Sequence, residues 1–270
     1  MDAEGPPTPD ATYLLPRHPS EVDRLDLQHY ALRAMINADH LAPVDGAIAI
    51  LDLGCGTGQW AFELCKEVPA ALVVGLDLVL SKPNPPENYG FVRASVLQSL
   101  PFGAGSFDLV HQRFMSTAVP VSSWADGLGE ALRVTRPGGW VELGEPAGRF
   151  EPAGPATAAV RDMFRAFGAS LGLDMDGVIF DSLDDGLRRA GLVEVQRRDI
   201  DLPIGEWGGR IGSLMATDLR AIAMRMAPVL QAQFDLPREK WHEMPIAMQQ
   251  EWVENHSTFP FAIAFGRKPR

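Results

Sequence analysis

The stretch Asp52-Leu53-Gly54-Cys55-Gly56-Thr57-Gly58 constrains this chain more than any other. It ends a continuous apolar run, Ala47 to Leu53, of the kind that forms a strand buried on both faces. A helical pattern, Trp60 to Glu67, follows it. Glycines at alternate positions permit a tight strand-to-helix turn and let backbone N–H groups approach a ligand with no Cβ in the way. A second apolar run, Ala71 to Asp77, ends in an acid 19 residues after Gly58. That is close to the ~20 expected of an acid that binds ribose hydroxyls. Loop and acid together predict an adenosine cradle. A dinucleotide loop, G-x-G-x-x-G, would need glycine at position 59, where Gln59 stands.

The alternation of strand and helix continues to residue 145. Phe91 to Ala94 reads as a third strand and Ser106 to His111 as a fourth. Trp124 to Val134 is a helix, and the turn Arg136-Pro137-Gly138-Gly139 leads into a fifth strand, Gly139 to Leu143. Strand, helix and strand in succession imply right-handed parallel crossovers. Beyond Pro146 come helices at Ala158 to Leu171 and Leu183 to Ala190, then a strand at Val193 to Leu202. Leu214, Leu219, Ile222, Met226 and Leu230 mark an amphipathic helix before a closing strand, Pro260 to Gly266. Near the N-terminus, Ser20 is placed to cap a helix whose apolar face carries Leu25, Ala31, Leu32 and Met35. The predicted fold is α/β, a doubly wound Rossmann-like sheet, mostly parallel, with an antiparallel last strand. The last two strands pair across a helical insertion of about 50 residues. Residues 1–12 read as a disordered leader, 13–42 as an N-terminal helical lid and 43–150 as the cofactor-binding core. Residues 151–270 read as the helical cap insertions plus the last strands.

Charge narrows the partners. A net charge of -11 argues against nucleic acid, whose phosphates need a surplus of Lys and Arg. Two cysteines, one of them inside the glycine loop, predict no disulfide framework and suit a reducing cytoplasm. The first residues show no secretory pattern, and no run approaches the roughly 18 apolar residues of a membrane span. The expectation is a cytoplasmic protein with a small-molecule partner and no membrane; the sequence leaves a homo-oligomer open.

At the glycine loop the chain resembles the class I methyltransferase superfamily, whose first motif has the form D/E-x-G-x-G-x-G and whose second-strand acid holds a ribose. Asp52, Gly54, Gly56, Gly58 and Asp77 match. The resemblance implies S-adenosylmethionine as cofactor, S-adenosylhomocysteine as product, and Leu78 beside the ribose. Family members place an acid or amide after the third strand to bond the adenine amino group. Ser95 stands there, with the backbone of Val96 next to it; Ser95 fits equally as a turn residue. A narrower similarity joins the chain to the LaeA-like and UMTA-type methyltransferases of secondary metabolism and their actinobacterial relatives. Its carriers include Tyr13-Leu14-Leu15-Pro16, Glu21 to His29, Leu100-Pro101-Phe102, Phe107 to Arg113, Leu202 to Trp207 and Phe265 to Pro269. It implies a helical lid, with Tyr13 toward the cofactor, and a variable helical cap over the acceptor.

Methyl transfer is an in-line displacement at a sulfonium carbon, so the protein mainly aligns nucleophile, methyl and sulfur and excludes water. His111, at the end of the fourth strand, is placed either as a general base or as a cofactor-binding ring packed against the methionine moiety. Arg113 either binds a carboxylate or forms an ion pair. The Asn/Asp-Pro-Pro-aromatic signature of amide-directed enzymes is absent from this strand end. Asn84-Pro85-Pro86-Glu87 imitates it in the wrong loop. No His/Asp/Glu cluster suggests a metal. Trp207, Met215, Met224, Met226 and Trp241 either line an apolar acceptor pocket or belong to the core, and Tyr30 either faces the cofactor or anchors a crossing helix. The predicted activity is methyl transfer from S-adenosylmethionine to a small natural-product acceptor. The competing reading is a regulatory or scaffold protein that keeps the cofactor fold without such turnover.

Overall fold

The structure, a computed structural model, describes residues 19–79 and 82–270. Seven strands form one sheet: β1 (Ala49–Leu53), β2 (Leu72–Asp77), β3 (Tyr89–Arg93), β4 (Phe107–Arg113), β5 (Thr135–Pro146), β6 (Val193–Pro203) and β7 (Thr258–Arg267). Their order is β3-β2-β1-β4-β5-β7-β6. The first five pair in parallel, and β7 lies antiparallel between β5 and β6. The predicted fold class and the antiparallel pairing of the last two strands are both present.

Strand order reverses between β1 and β4, which both leave the sheet at the same edge, so a crevice opens beyond Leu53 and Arg113. Both faces of the central strands are covered. Ile50, Val73 and Leu109 pack on Trp60 and Leu64 of α2 (Gln59–Glu67). The alternate residues Leu51, Val74 and Val110 pack with Val134 of α3 (Trp124–Val134). This double burial explains why the strands read as continuous apolar runs. β5 begins earlier than the sequence predicts. Arg136 to Gly139 bulge out between the pairs Phe107–Thr135 and Leu109–Trp140, so the anticipated turn is absorbed into the strand.

Helix α1 (Pro19–Ile36) precedes the sheet. α4 (Pro155–Ser170), the single-turn α5 (Val178–Asp181) and α6 (Leu183–Arg189) follow β5. α7 (Gly209–Phe234) and α8 (Arg238–Glu254) lie between β6 and β7. α4, α7 and α8 share a satellite core in which Val160 and Ala216 meet Met248 and Trp252, while Met226, Leu230 and Trp241 form its far end. Among the described residues no helix is long and apolar enough to cross a membrane.

Carboxylates from distant elements fasten several loops. Glu142 accepts hydrogen bonds from the amides of Leu41 and Ala42, and Asp108 from those of Ile48 and Ala49. Gly154 offers no side chain to cap α4. Glu251 of α8 does so instead, accepting from the amides of Ala156 and Thr157 at 2.7 and 2.8 Å and from the Thr157 hydroxyl at 2.7 Å. Burial alone raises the Glu251 carboxyl, but the Thr157 and Ala156 hydrogen bonds outweigh it and hold the group below its ordinary 4.5. A depressed acid contributes stability above its unfolded value and loses it as pH falls through the folded one. Glu251→Ala is therefore expected to cost about 1–2 kcal/mol in urea unfolding at pH 7. The gap to the parent should narrow below pH 4.5, and a gap that is constant with pH would show that the carboxylate charge plays no part.

Candidate active site

The turn between β1 and α2 takes a shape that L side chains resist. Gly54, Gly56 and Gly58 have φ of 67°, 54° and 79°, all in the left-handed region that only glycine enters freely. A Cβ on Gly54 would also collide with the Met115 sulfur. The Gly54 and Cys55 amides donate to the Leu76 carbonyl at 2.8 and 3.1 Å, folding the loop back onto the end of β2. Asp77 completes the closure: its Oδ2 accepts from the Gly56 amide at 2.9 Å and its Oδ1 from the Leu78 amide at 2.6 Å.

These residues line a cavity of about 560 Å³ that runs from the glycine loop to the helices following β5. Asp52, Gly54, Gly56, Asp77, Leu78, Ser95 and Val96 all border it. Gly58 shapes the turn from behind, as the residue preceding α2. The Ser95 hydroxyl accepts from the Leu97 amide at 3.2 Å, so this side chain makes its turn while facing the cavity. Tyr13 lies outside the described residues. Tyr30, 43% exposed, accepts from Gln59 Nε2 at 2.8 Å, so its hydroxyl anchors α1 to the start of α2.

Two side chains at the end of β4 meet different surroundings. His111 is 3% exposed and absent from the cavity wall. Its ring stacks on Trp60 with centroids 3.7 Å apart, and Nδ1 lies 2.8 Å from Asp52 Oδ1. Arg113, two residues on, lines the cavity and donates from Nη2 to His29 Nδ1 at 2.8 Å. Burial first, and then the Arg113 charge, push His29 down to about 2, which keeps the imidazole neutral and its Nδ1 free to accept.

Helix α1 is stitched across the loop by polar contacts. Thr57 donates to Asp26 at 2.9 Å, the Lys82 ammonium bridges Asp26 and Gln59 Oε1, and Leu25 packs over Gly56. On its other side Arg24 and Gln28 bond Asp218, a fully buried acid of α7. One helix thus joins the glycine loop to the C-terminal helices. Arg24, Asp26, Gln28 and His29 fall in a stretch that carries the family resemblance, yet only helical spacing could have shown that they split between two partners.

The far end of the cavity is apolar. Phe150, Val160, Phe164, Ile222, Met248 and Phe259 form its wall. The aromatic and methionine candidates from the sequence do not. Met215, Met226 and Trp241 are core residues, Met224 is exposed, and Trp207 stacks on His256 at the surface. Asp174 reaches the wall with both oxygens engaged, accepting amides from Asp176, Gly177, Val178 and Ile179. Glu145, fully buried, accepts from the amides of Met115 and Ser116 and so fixes the segment after β4 that floors the cavity. Burial lifts Glu145 to about 7 despite those two bonds. Sequence reading missed Glu145 because nothing local distinguishes it from any other strand acid.

Residues 50–139 match the family model of a methyltransferase domain. Over its whole length the chain is 28% identical to the N-methyltransferase sirN of Leptosphaeria maculans, covering 99% of that protein. It is 33% identical, over 94% of its residues, to the secondary metabolism regulator laeA of Aspergillus fumigatus, of which it spans 63%. A solved structure of Haemonchus contortus phosphoethanolamine N-methyltransferase 2 with S-adenosyl-L-methionine superposes with a TM-score of 0.50 at 13% identity. The match covers 92% of this chain and 52% of that one. The left-handed glycine turn, the acid ending β2 and these likenesses agree: residues 50–139 are a methyltransferase domain, and the chain as a whole is similar to S-adenosylmethionine-dependent methyltransferases of the LaeA-like type.

Proposed function

We propose that the protein transfers the methyl group of S-adenosylmethionine to an apolar small-molecule acceptor bound between α4, α7 and α8, in a reducing cytoplasm. The observation that carries this reading is one continuous cavity with a polar cradle at the glycine loop and an apolar wall at its other end. Asp77, already oriented by the Gly56 and Leu78 amides, would bind the ribose; the 94–97 turn would meet the adenine, and α1 would cover the cofactor. Closing helices over a sulfonium excludes water and holds the acceptor in line, which is most of what this reaction requires.

Among acceptor atoms, one with its own lone pair, such as an amine nitrogen, fits best. Two wall groups that could serve as a base are already engaged, Asp174 by four amides and His29 by Arg113. The N-methyltransferase named above is consistent with that choice. His111 enters as a positioning residue that steers Asp52 and, through it, the loop. A regulatory role is favoured by the likeness to laeA, and the same experiments separate the two.

The decisive experiment incubates the protein with methyl-labelled S-adenosylmethionine and an apolar metabolite extract, looking for labelled products. A stable protein complex with no labelled small molecule would favour the regulatory reading. Asp77→Ala should weaken S-adenosylhomocysteine binding at least tenfold, about 1.4 kcal/mol, in calorimetry; unchanged affinity would mean the ribose lies elsewhere. Ile222→Trp, which fills the apolar end, should abolish turnover and leave cofactor affinity within about twofold. Turnover that survives it would move the acceptor out of this cavity. His111→Ala should lower cofactor affinity, and His111→Asn, which can still donate to Asp52, should restore it. A loss confined to kcat at saturating cofactor would instead make His111 the base.

A further inference from the structure

Arg113 stands out among the cavity's cations. Arg24 is paired with Asp218 and Arg161 with Asp162. Among the described residues, Arg113 forms no ion pair, and its one side-chain hydrogen bond goes to a neutral imidazole. A guanidinium carries five donors in a planar fork suited to a carboxylate. Holding it half-buried with a neutral partner is unfavourable unless an anion arrives. The acids whose charge reaches it are already in use: Asp52 by His111, Asp39 by Arg33 and Glu142 by the Leu41 and Ala42 amides.

Strand register says which anion fits. In the parallel pair of β1 and β4, Asp52 is level with His111 and Leu53 with Gln112, so Arg113 follows the last paired position, where β1 gives way to the glycine loop at Gly54. Residues two apart on a strand share a face, which sets Arg113 on the His111 side of β4; its bond to His29 ties it to α1, and it lines the same cavity as the loop. A nucleoside whose ribose sits on Asp77 and whose base faces Ser95 occupies the β2 and β3 side of the loop. Its 5′ substituent must then cross Gly54 toward β4, where Arg113 waits. The apolar acceptor wall, by contrast, comes chiefly from α4, α7 and α8.

We propose that Arg113 is the carboxylate anchor of the cofactor's amino-acid end, with His29 positioning the guanidinium fork. The reading rests on the cofactor site above and goes further, because it names the group that sets where the sulfonium stops. Anchoring the carboxylate at one end and the ribose at the other fixes the sulfur between them, facing the acceptor chamber.

The test measures calorimetric affinities of the full chain and of Arg113→Met for two ligands, S-adenosylhomocysteine and its decarboxylated analogue. The parent should prefer S-adenosylhomocysteine by at least 30-fold. Arg113→Met should erase that preference, losing at least 30-fold on S-adenosylhomocysteine and no more than threefold on the analogue. Arg113→Lys, which keeps the charge and loses the fork, should fall between. Equal losses on both ligands would make Arg113 a structural residue and overturn the proposal. So would unchanged affinities accompanied by a raised KM for the acceptor, which would assign the guanidinium to an acceptor carboxylate. Should Arg113→Met not fold, the parent alone decides: equal affinity for the two ligands overturns the anchor while leaving the nucleoside site intact.

Discussion

The hydrogen bond from the Gly56 amide to Asp77 holds the site together. It joins the turn after β1 to the last residue of β2, and with the two amides donating to the Leu76 carbonyl it fixes a backbone path through three left-handed glycines. Such a path has little intrinsic stability, because glycine gives up more conformational freedom on folding than any other residue. Asp77 offsets that cost and, in doing so, is itself oriented before any ligand arrives. The same contact therefore makes the loop and orients the acid that we propose binds the ribose.

Much of the chain's acidity works in this way. Asp108, Glu142, Glu145 and Glu251 each accept backbone amides from a segment far away in sequence, Asp174 accepts those of the turn that follows it, and Asp52 and Asp218 hold a histidine and an arginine. A buried carboxylate needs two or more donors to offset its desolvation, and irregular segments have amides to offer. The net charge of -11 thus reports in part on internal fastening. Read from composition alone, the same acids suggest only a surface that repels polyanions.

What was legible in the sequence was whatever is local. Ile50 to Leu53 and Val73 to Leu76 announce strands buried on both faces, and the G-x-G-x-G spacing with Asp77 announces the cradle, because each depends on a few adjacent residues. The apolar wall of the cavity was not legible. α7 is apolar on more than one side: Met215, Met226 and Leu230 face the core, while Leu219, Ile222 and Ala223 face the cavity. Periodicity identifies a buried helix but not which apolar face looks onto protein and which onto a chamber. The cap on α4 was hidden for a related reason, since Glu251 lies 95 residues from Ala156.

The end of β4 shows how little separates a structural group from a functional one. His111 and Arg113 share a strand, a face and a neighbourhood of acids. Asp52 satisfies the first, and Trp60 covers its ring. The second has nearby acids but no carboxylate in contact, and its hydrogen bond goes to His29, which burial holds neutral. Hydrogen-bond bookkeeping, more than residue type, therefore sorts the two: a buried ionisable side chain whose partners are complete is scaffold, and one whose partners are incomplete at a cavity wall is waiting for a ligand. By that criterion the polar end of this cavity would hold the zwitterionic nucleoside we propose at both extremities, and its apolar end would supply shape without a base, leaving the acceptor's own lone pair to complete the displacement.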